Sequence, residues 1–206
     1  IAFQHWAEAA ATLSASRKQA AGTLELAVSG LMGELGMAGG IFAIELPAND
    51  SGKPNPMGAE RCEFLVSANP GQPPRPLRKV ASGGELARIS LAIEVAALGL
   101  DSVPTMIFDE VDSGIGGAVA EVVGQKLRAL GSERQVLCVT HLPQVAAQGH
   151  QHFQVSKAVS GSSTHSAVSR LDEKARIEEL ARMLGGVEIT RETRANARQM
   201  LTRAQS

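Results

Sequence analysis

The stretch Ala81-Ser82-Gly83-Gly84-Glu85-Leu86-Ala87-Arg88 decides how this chain reads. Ser82 followed three residues later by Glu85 is a capping box, the signature of a helix N-terminus. Leu86, Ile89, Ile93 and Ala97 then recur at helical spacing. Gly83 and Gly84 run against that helix, since each glycine costs roughly 1 kcal/mol relative to alanine. A pair of them fits a backbone that something approaches closely. The free N–H groups and partial positive charge of a helix start make an anion the natural visitor. On this stretch alone an ordinary capped helix is the commoner explanation, so its neighbours decide.

Pro104-Thr105-Met106-Ile107-Phe108 is a short apolar run that predicts a buried strand, and it ends in Asp109-Glu110. Gln135-Val136-Leu137-Cys138-Val139-Thr140 predicts a second, and it ends in His141. About thirty residues with a helical middle separate them, the size of a βαβ unit with parallel strands. Open parallel sheets bind ligands beyond the carboxyl ends of their strands, where these titratable residues fall. Asp109 and Glu110, being adjacent, are expected to point to opposite sides of the strand. One carboxylate can then hold Mg²⁺ through water while the next deprotonates an attacking water. His141 at the neighbouring strand end can hydrogen-bond a departing phosphate.

Together these residues resemble an ATP-binding-cassette ATPase. Ala81 to Glu85 is similar to its signature motif, Thr105 to Glu110 to its Walker B strand with the catalytic glutamate, and Val139-Thr140-His141 to its switch histidine. Three longer stretches resemble, more narrowly, the RecN family of bacterial SMC-like proteins of DNA double-strand-break repair. They are Phe64-Leu65-Val66-Ser67-Ala68-Asn69-Pro70-Gly71, Phe108 to Gly117, and Val139-Thr140-His141-Leu142-Pro143-Gln144-Val145. The resemblance runs from about Glu60 to the C-terminus.

The resemblance implies an α/β fold: the C-terminal lobe of an ABC/SMC-type ATPase head, with a parallel sheet flanked by helices. Residues 1–40 would be the end of a coiled-coil arm and residues 41–206 the lobe. It implies ATP and Mg²⁺ as cofactors, with Asp109 on the metal and Glu110 and His141 catalytic. Ser82, Gly83, Gly84 and Glu85 would meet the γ-phosphate of a nucleotide held by a second head. Asp112 and Ser113 lie where the family's D-loop crosses that interface. Related SMC proteins carry an Asp a few residues further on, where this chain has Ile115-Gly116, so the D-loop pattern is incomplete. The implied partners are a second head in an ATP-dependent dimer and, through the complete protein, DNA.

No G-x-x-x-x-G-K-[ST] phosphate loop occurs in the 206 residues. Ser51-Gly52-Lys53-Pro54 is not one, because Pro47 stands where the first Gly belongs. The chain begins with Ile. Both observations predict a fragment whose Walker A half lies elsewhere, and which is inactive alone. Two other readings compete: an interaction module that clamps a partner lobe without hydrolysis, and a transporter nucleotide-binding domain. A clamp has no use for Glu110 as a base. A transporter domain fits poorly with the Pro-rich approach to Ser82 and the arm-like N-terminus.

Composition agrees with a soluble, cytoplasmic protein, and the resemblance implies association with the nucleoid. Hydrophobic residues make up 44% and charged residues 20%, ordinary for a globular chain. No apolar run approaches the roughly 18–20 residues of a membrane span, and no signal peptide is visible. Cys62 and Cys138 lie in apolar runs without metal-ligand spacing and read as small core residues. Net charge is −1 but uneven: residues 81–155 carry 4 Lys+Arg against 8 Asp+Glu, residues 156–206 carry 9 against 6. That basic excess is too weak to mark a nucleic-acid face by itself. Aromatics at 3% exclude a base-stacking platform.

Residues 1 to about 37 read as helix, weakened near its end by Gly22, Gly30, Gly33 and Gly36. Strands are expected over 41–46 and 61–67 around a Pro/Gly/Asn loop. A helix is expected from Gly116 or Gly117 to Leu130 with Gly131 as its stop, and a short one from Leu142-Pro143 to Gly149. An antiparallel pair should span 152–157 and 166–171. Asp172 should cap a helix that stops at Gly185-Gly186, and Thr190 should start the last one.

Overall fold

The computed structural model describes residues 1–49, 53–80, 82–99, 103–160, 163–185 and 188–205. Ala81, Ser51-Gly52, Gly161-Ser162 and Gly186 therefore lie outside the described residues. The chain divides into two compact units, Ile1–Asp101 and Ser102–Ser206.

In the first unit, helix α1 (Ala2–Glu34) packs against strand β1 (Ile41–Glu45) and helix α2 (Gly83–Ala96). Gly30 and Gly33 do not end α1. The helix continues because Val28 and Met32 are fully buried, and packing outweighs the propensity cost. It stops before Gly36, whose φ of 84° suits a residue without Cβ. β1 is the edge of an antiparallel sheet ordered β1-β2-β3, with β2 Glu63–Ser67 and β3 Arg75–Pro76. Its outward N–H groups are taken by α1 side chains: Phe42 donates to Ser29 Oγ at 3.0 Å and Ile44 to Glu25 Oε1 at 2.6 Å. The 47–60 loop also ties to α1, through Trp6 Nε1 on the Asn55 carbonyl at 2.9 Å and Arg17 on the Glu60 carbonyl at 3.2 Å.

The second unit opens with the expected βαβ unit. Strands β4 (Thr105–Phe108) and β5 (Gln135–Cys138) pair in parallel, Thr105 opposite Gln135 and Phe108 opposite Cys138, across helix α3 (Gly117–Glu133). Gly131 is not a stop: α3 runs through it to Glu133, and Arg134 N–H caps onto the Leu130 carbonyl. The strands are not buried on both faces, as the apolar runs predicted. Met106 and Phe108 are buried, whereas Ile107 is 70% and Leu137 46% exposed. Helix α4 (Pro143–Gln148) closes onto α3 at Gly124, where a Cβ would stand 2.7 Å from Gln148 Cγ.

The β6–β7 hairpin (Phe153–Ser160, Ser163–Arg170) is longer than its pattern predicted. Helices α5 (Glu173–Gly185) and α6 (Arg191–Gln205) follow. Asp172 caps α5 as expected, accepting from Ala175 N–H at 2.8 Å. Ala146, Ala147, Leu180, Ala181, Ala197 and Leu201 form the core where α4, α5 and α6 meet. Neither cysteine is a core residue. Cys62 is exposed beside the first edge of β2, and Cys138 is half-buried.

Candidate functional site

α2 starts as the sequence predicts. Ser82 is its N-cap, with extended backbone, and its Oγ accepts from Glu85 N–H at 3.3 Å. Ser82 and Gly83 are exposed, Gly84 is buried and Glu85 is half-buried. The buried face differs from the predicted one: it runs through Gly84, Arg88, Ile89, Leu91 and Ala92, while Leu86 stays exposed. The spacing 84, 88, 91 is as helical as 86, 89, 93, and packing against α1 selects between them. Burial pulls the Arg88 guanidinium down from its ordinary value, against the pull of Glu85.

Asp109, Glu110 and His141 all follow the carboxyl ends of the paired strands. Val139 N–H still bonds the Phe108 carbonyl at 2.9 Å, so the two chain ends leave the sheet side by side. The alternation argument for Asp109 and Glu110 does not apply, because β4 ends at Phe108. Glu110 instead has φ of 57°, in the left-handed region that non-glycine residues rarely visit. Asp109 Oδ1 accepts from Glu110 N–H at 2.9 Å, and the Glu110 carbonyl accepts from Ser113 N–H at 3.0 Å. The reversal leaves Asp109 and Glu110 exposed and turns Val111 and Asp112 inward.

Asp112 is 2% exposed. Its Oδ2 accepts from Thr140 Oγ1, from His141 N–H at 3.0 Å and from Leu142 N–H at 3.3 Å, and lies 3.2 Å from His141 Nδ1. The family resemblance puts Asp112 beside Ser113 in a loop crossing to a second head; Ser113 is exposed, and the Asp112 carboxylate is held by the residues that follow β5. The His141 side chain is 70% exposed. Thr140 stands in the sequence only as the residue before His141, with no role of its own; in the structure its hydroxyl is held by Asp112.

The strand ends carry concentrated negative charge. The Cys138 thiol is pushed up to about 12, first by burial and then by the Asp112 and Asp109 carboxylates. Among the described residues no group of three or more His, Cys, Asp or Glu stands ready as a complete metal cage. An exposed carboxylate in an acidic field does fit Mg²⁺, which keeps waters and takes one or two protein oxygens plus phosphate.

No protein-family model matches the chain. The DNA repair protein RecN of Xylella fastidiosa is 60% identical over 204 residues, 99% of this chain and 37% of that protein. The chain therefore spans little more than a third of the length of the curated relatives it matches. The solved SMC head domain with a coiled coil and joint from Pyrococcus yayanosii aligns with a TM-score of 0.57 at 22% identity, over 80% of this chain and 29% of that one. A solved chain from work on ATP-driven dimerization and DNA-stimulated activation of SMC ATPases aligns with a TM-score of 0.51 at 19% identity, over 82% of this chain and 96% of that one. At such identities the likeness is one of fold. The chain has the fold of an SMC head, and it belongs to the RecN family.

Proposed function

We propose that this chain is the C-terminal lobe of an SMC-like ATPase head that acts in DNA double-strand-break repair, and that it hydrolyses ATP only when joined to a lobe carrying a phosphate loop. The observation that carries this reading is the uncovered face of the β4–β5 pair. Ile107, Leu137 and Val139 stand 70%, 46% and 62% exposed there. Parallel sheets are covered on both faces, so this face calls for a further layer of the same head. Full burial of such a side chain is worth roughly 1.5–3 kcal/mol, of which Ile107 has most and Leu137 about half still to gain.

In the joined head Asp109 would hold Mg²⁺, and Glu110 takes the proton of the attacking water. The metal, when bound, neutralises charge on the phosphates. His141 hydrogen-bonds the γ-phosphate. The N–H groups of the first turn of α2, at Ser82, Gly83 and Gly84, receive the γ-phosphate of the nucleotide on a second head, beside Glu85. Residues 1–40 continue into a coiled-coil arm, and hydrolysis gates head pairing and, through the arm, the holding of DNA. No described helix is long and apolar enough to cross a membrane, and we assign the protein to the cytoplasm, at the nucleoid.

The test is ATP hydrolysis by the purified chain, alone and mixed with the lobe that bears the phosphate loop. The expected result is none alone and turnover on mixing. Robust turnover by the chain alone, abolished by Glu110→Gln, would overturn the split-site reading.

A further inference from the structure

Asp112 gathers four polar neighbours around one carboxylate oxygen, three of them hydrogen-bond donors and one a ring nitrogen at 3.2 Å, and has almost no contact with solvent. Three of them, Thr140 Oγ1, His141 N–H and Leu142 N–H, fix the main chain that carries His141. The fourth, His141 Nδ1, concerns the ring itself. An ionised carboxylate only accepts hydrogen bonds, so a ring nitrogen held by it carries the proton. The hydrogen bond at one ring nitrogen decides the state of the other.

We propose that Asp112 is a positioning residue for His141: it locks the imidazole with Nδ1–H turned inward and leaves Nε2 as the atom offered to a ligand. This rests on the reading of His141 as the phosphate-facing histidine, and it gives Asp112 a task within its own head. The same carboxylate holds Leu142 N–H, the start of α4, so ring orientation and loop position depend on one group.

Asn and Ala in place of Asp112 test this contact. An Asn amide oxygen in the place of Oδ2 still accepts from the main-chain N–H groups of His141 and Leu142 and from Nδ1–H. Ala leaves the ring without its acceptor. Thr140→Ala is the control, because it loosens the loop and leaves the carboxylate on the ring.

The first measurement is the ¹⁵N spectrum of histidine-labelled chain, with the His141 signals assigned by their loss in His141→Ala. The parent, Thr140→Ala and Asp112→Asn are expected to show Nδ1 protonated, and Asp112→Ala to shift toward the tautomer with the proton on Nε2. A parent spectrum with the proton on Nε2, or no change in Asp112→Ala, overturns the proposal. The second is hydrolysis by the chain joined to its phosphate-loop lobe. Asp112→Ala should lower kcat roughly 10²-fold, as expected when a histidine loses its working tautomer, with nucleotide Kd within about twofold, and Asp112→Asn should stay closer to the parent. Parent-like kcat in Asp112→Ala overturns the positioning role. Parent-like hydrolysis in His141→Ala instead removes His141 from the nucleotide site, while the spectrum still decides the Asp112–His141 bond.

Discussion

Arg176 Nη2 on α5 donates to the main-chain carbonyl of Gly149 at 2.7 Å, immediately beyond the end of α4. Arg176 Nη1 reaches the His150 carbonyl at 3.4 Å, and Arg128 on α3 donates to the Gln148 carbonyl at 2.8 Å. Two cations thus satisfy three successive carbonyls where α4 ends, and the Asp112 carboxylate meets the N–H group where it begins. Both charges oppose the helix dipole favourably. A helix of six residues is not stable alone, so these ends hold α4, and with it the loop of His141.

Arg176→Met should therefore destabilise the chain by about 2–3 kcal/mol, because it leaves two carbonyls without their charged donor. Arg176 is 7% exposed, so water cannot readily replace it. Arg176→Lys should fall between, having lost the planar fork. Urea unfolding measures all three, and an unmoved midpoint in Arg176→Met would show that the clamp does not hold α4.

The left-handed backbone at Glu110 costs of order 1–3 kcal/mol. Asn tolerates that conformation better than Glu does. Glu110→Asn is expected to raise unfolding stability by about 0.5–1 kcal/mol and Glu110→Gln to leave it unchanged. Both should abolish hydrolysis in the joined head. A Glu110→Asn variant less stable than the parent would refute strain at this position.

Glu110→Gln should separate binding from hydrolysis. The amide keeps the size of the carboxylate and cannot accept a proton, a loss of roughly 10²–10⁴ in rate. Asp109→Asn should instead weaken Mg²⁺-dependent nucleotide binding, because it removes a hard anionic group. Nucleotide affinity and single-turnover hydrolysis in the joined head check both. Equal loss of binding in the two variants, or parent-rate hydrolysis by Glu110→Gln, would void the assignments.

Ser82→Arg should abolish ATP-dependent head pairing and leave the fold intact. Ser82 is exposed, so a long cation is accommodated in the single chain. In a paired head it would obstruct the approach of phosphate to the first turn of α2. Sedimentation of the joined head with and without ATP measures this, and undiminished pairing would place the interface elsewhere.

Glu179 links the hairpin to α5: it accepts from Arg182 Nε at 2.8 Å and Nη2 at 2.7 Å and from Gln154 Nε2 at 2.6 Å. The Arg182 hydrogen bonds hold its carboxyl below the ordinary value of 4.5, against the opposing effect of burial. A depressed folded pKa means that its stabilisation is complete above about 4.5 and is lost as pH falls through the lower folded value. Between about pH 5 and pH 3 the parent should lose more thermal stability than Glu179→Gln. Equal losses would show that Glu179 does not contribute.

The element order was legible in the sequence because it rests on local signals. The capping pattern at Ser82 and Asp172, the two apolar runs and the helical series between them act within a few residues, and each produced its element. The same unit set Asp109-Glu110 and His141 at the ends of neighbouring strands, since a βαβ connection allows little else. What only the tertiary structure decided depends on partners distant in the chain. Gly30 and Gly33 stay helical because Val28 and Met32 are buried, and packing against α1 chose which side of α2 faces inward. Cys62 is exposed, between Arg61 and Glu63 just before the apolar part of β2 begins at Phe64. Asp112 turned from a loop residue into a buried acceptor through a turn at Glu110 that no residue type announced, meeting Thr140 and His141 across 28 and 29 positions. Propensity acts along the chain, whereas burial and hydrogen-bond satisfaction act across it, and the orientation of these site residues is set by the second.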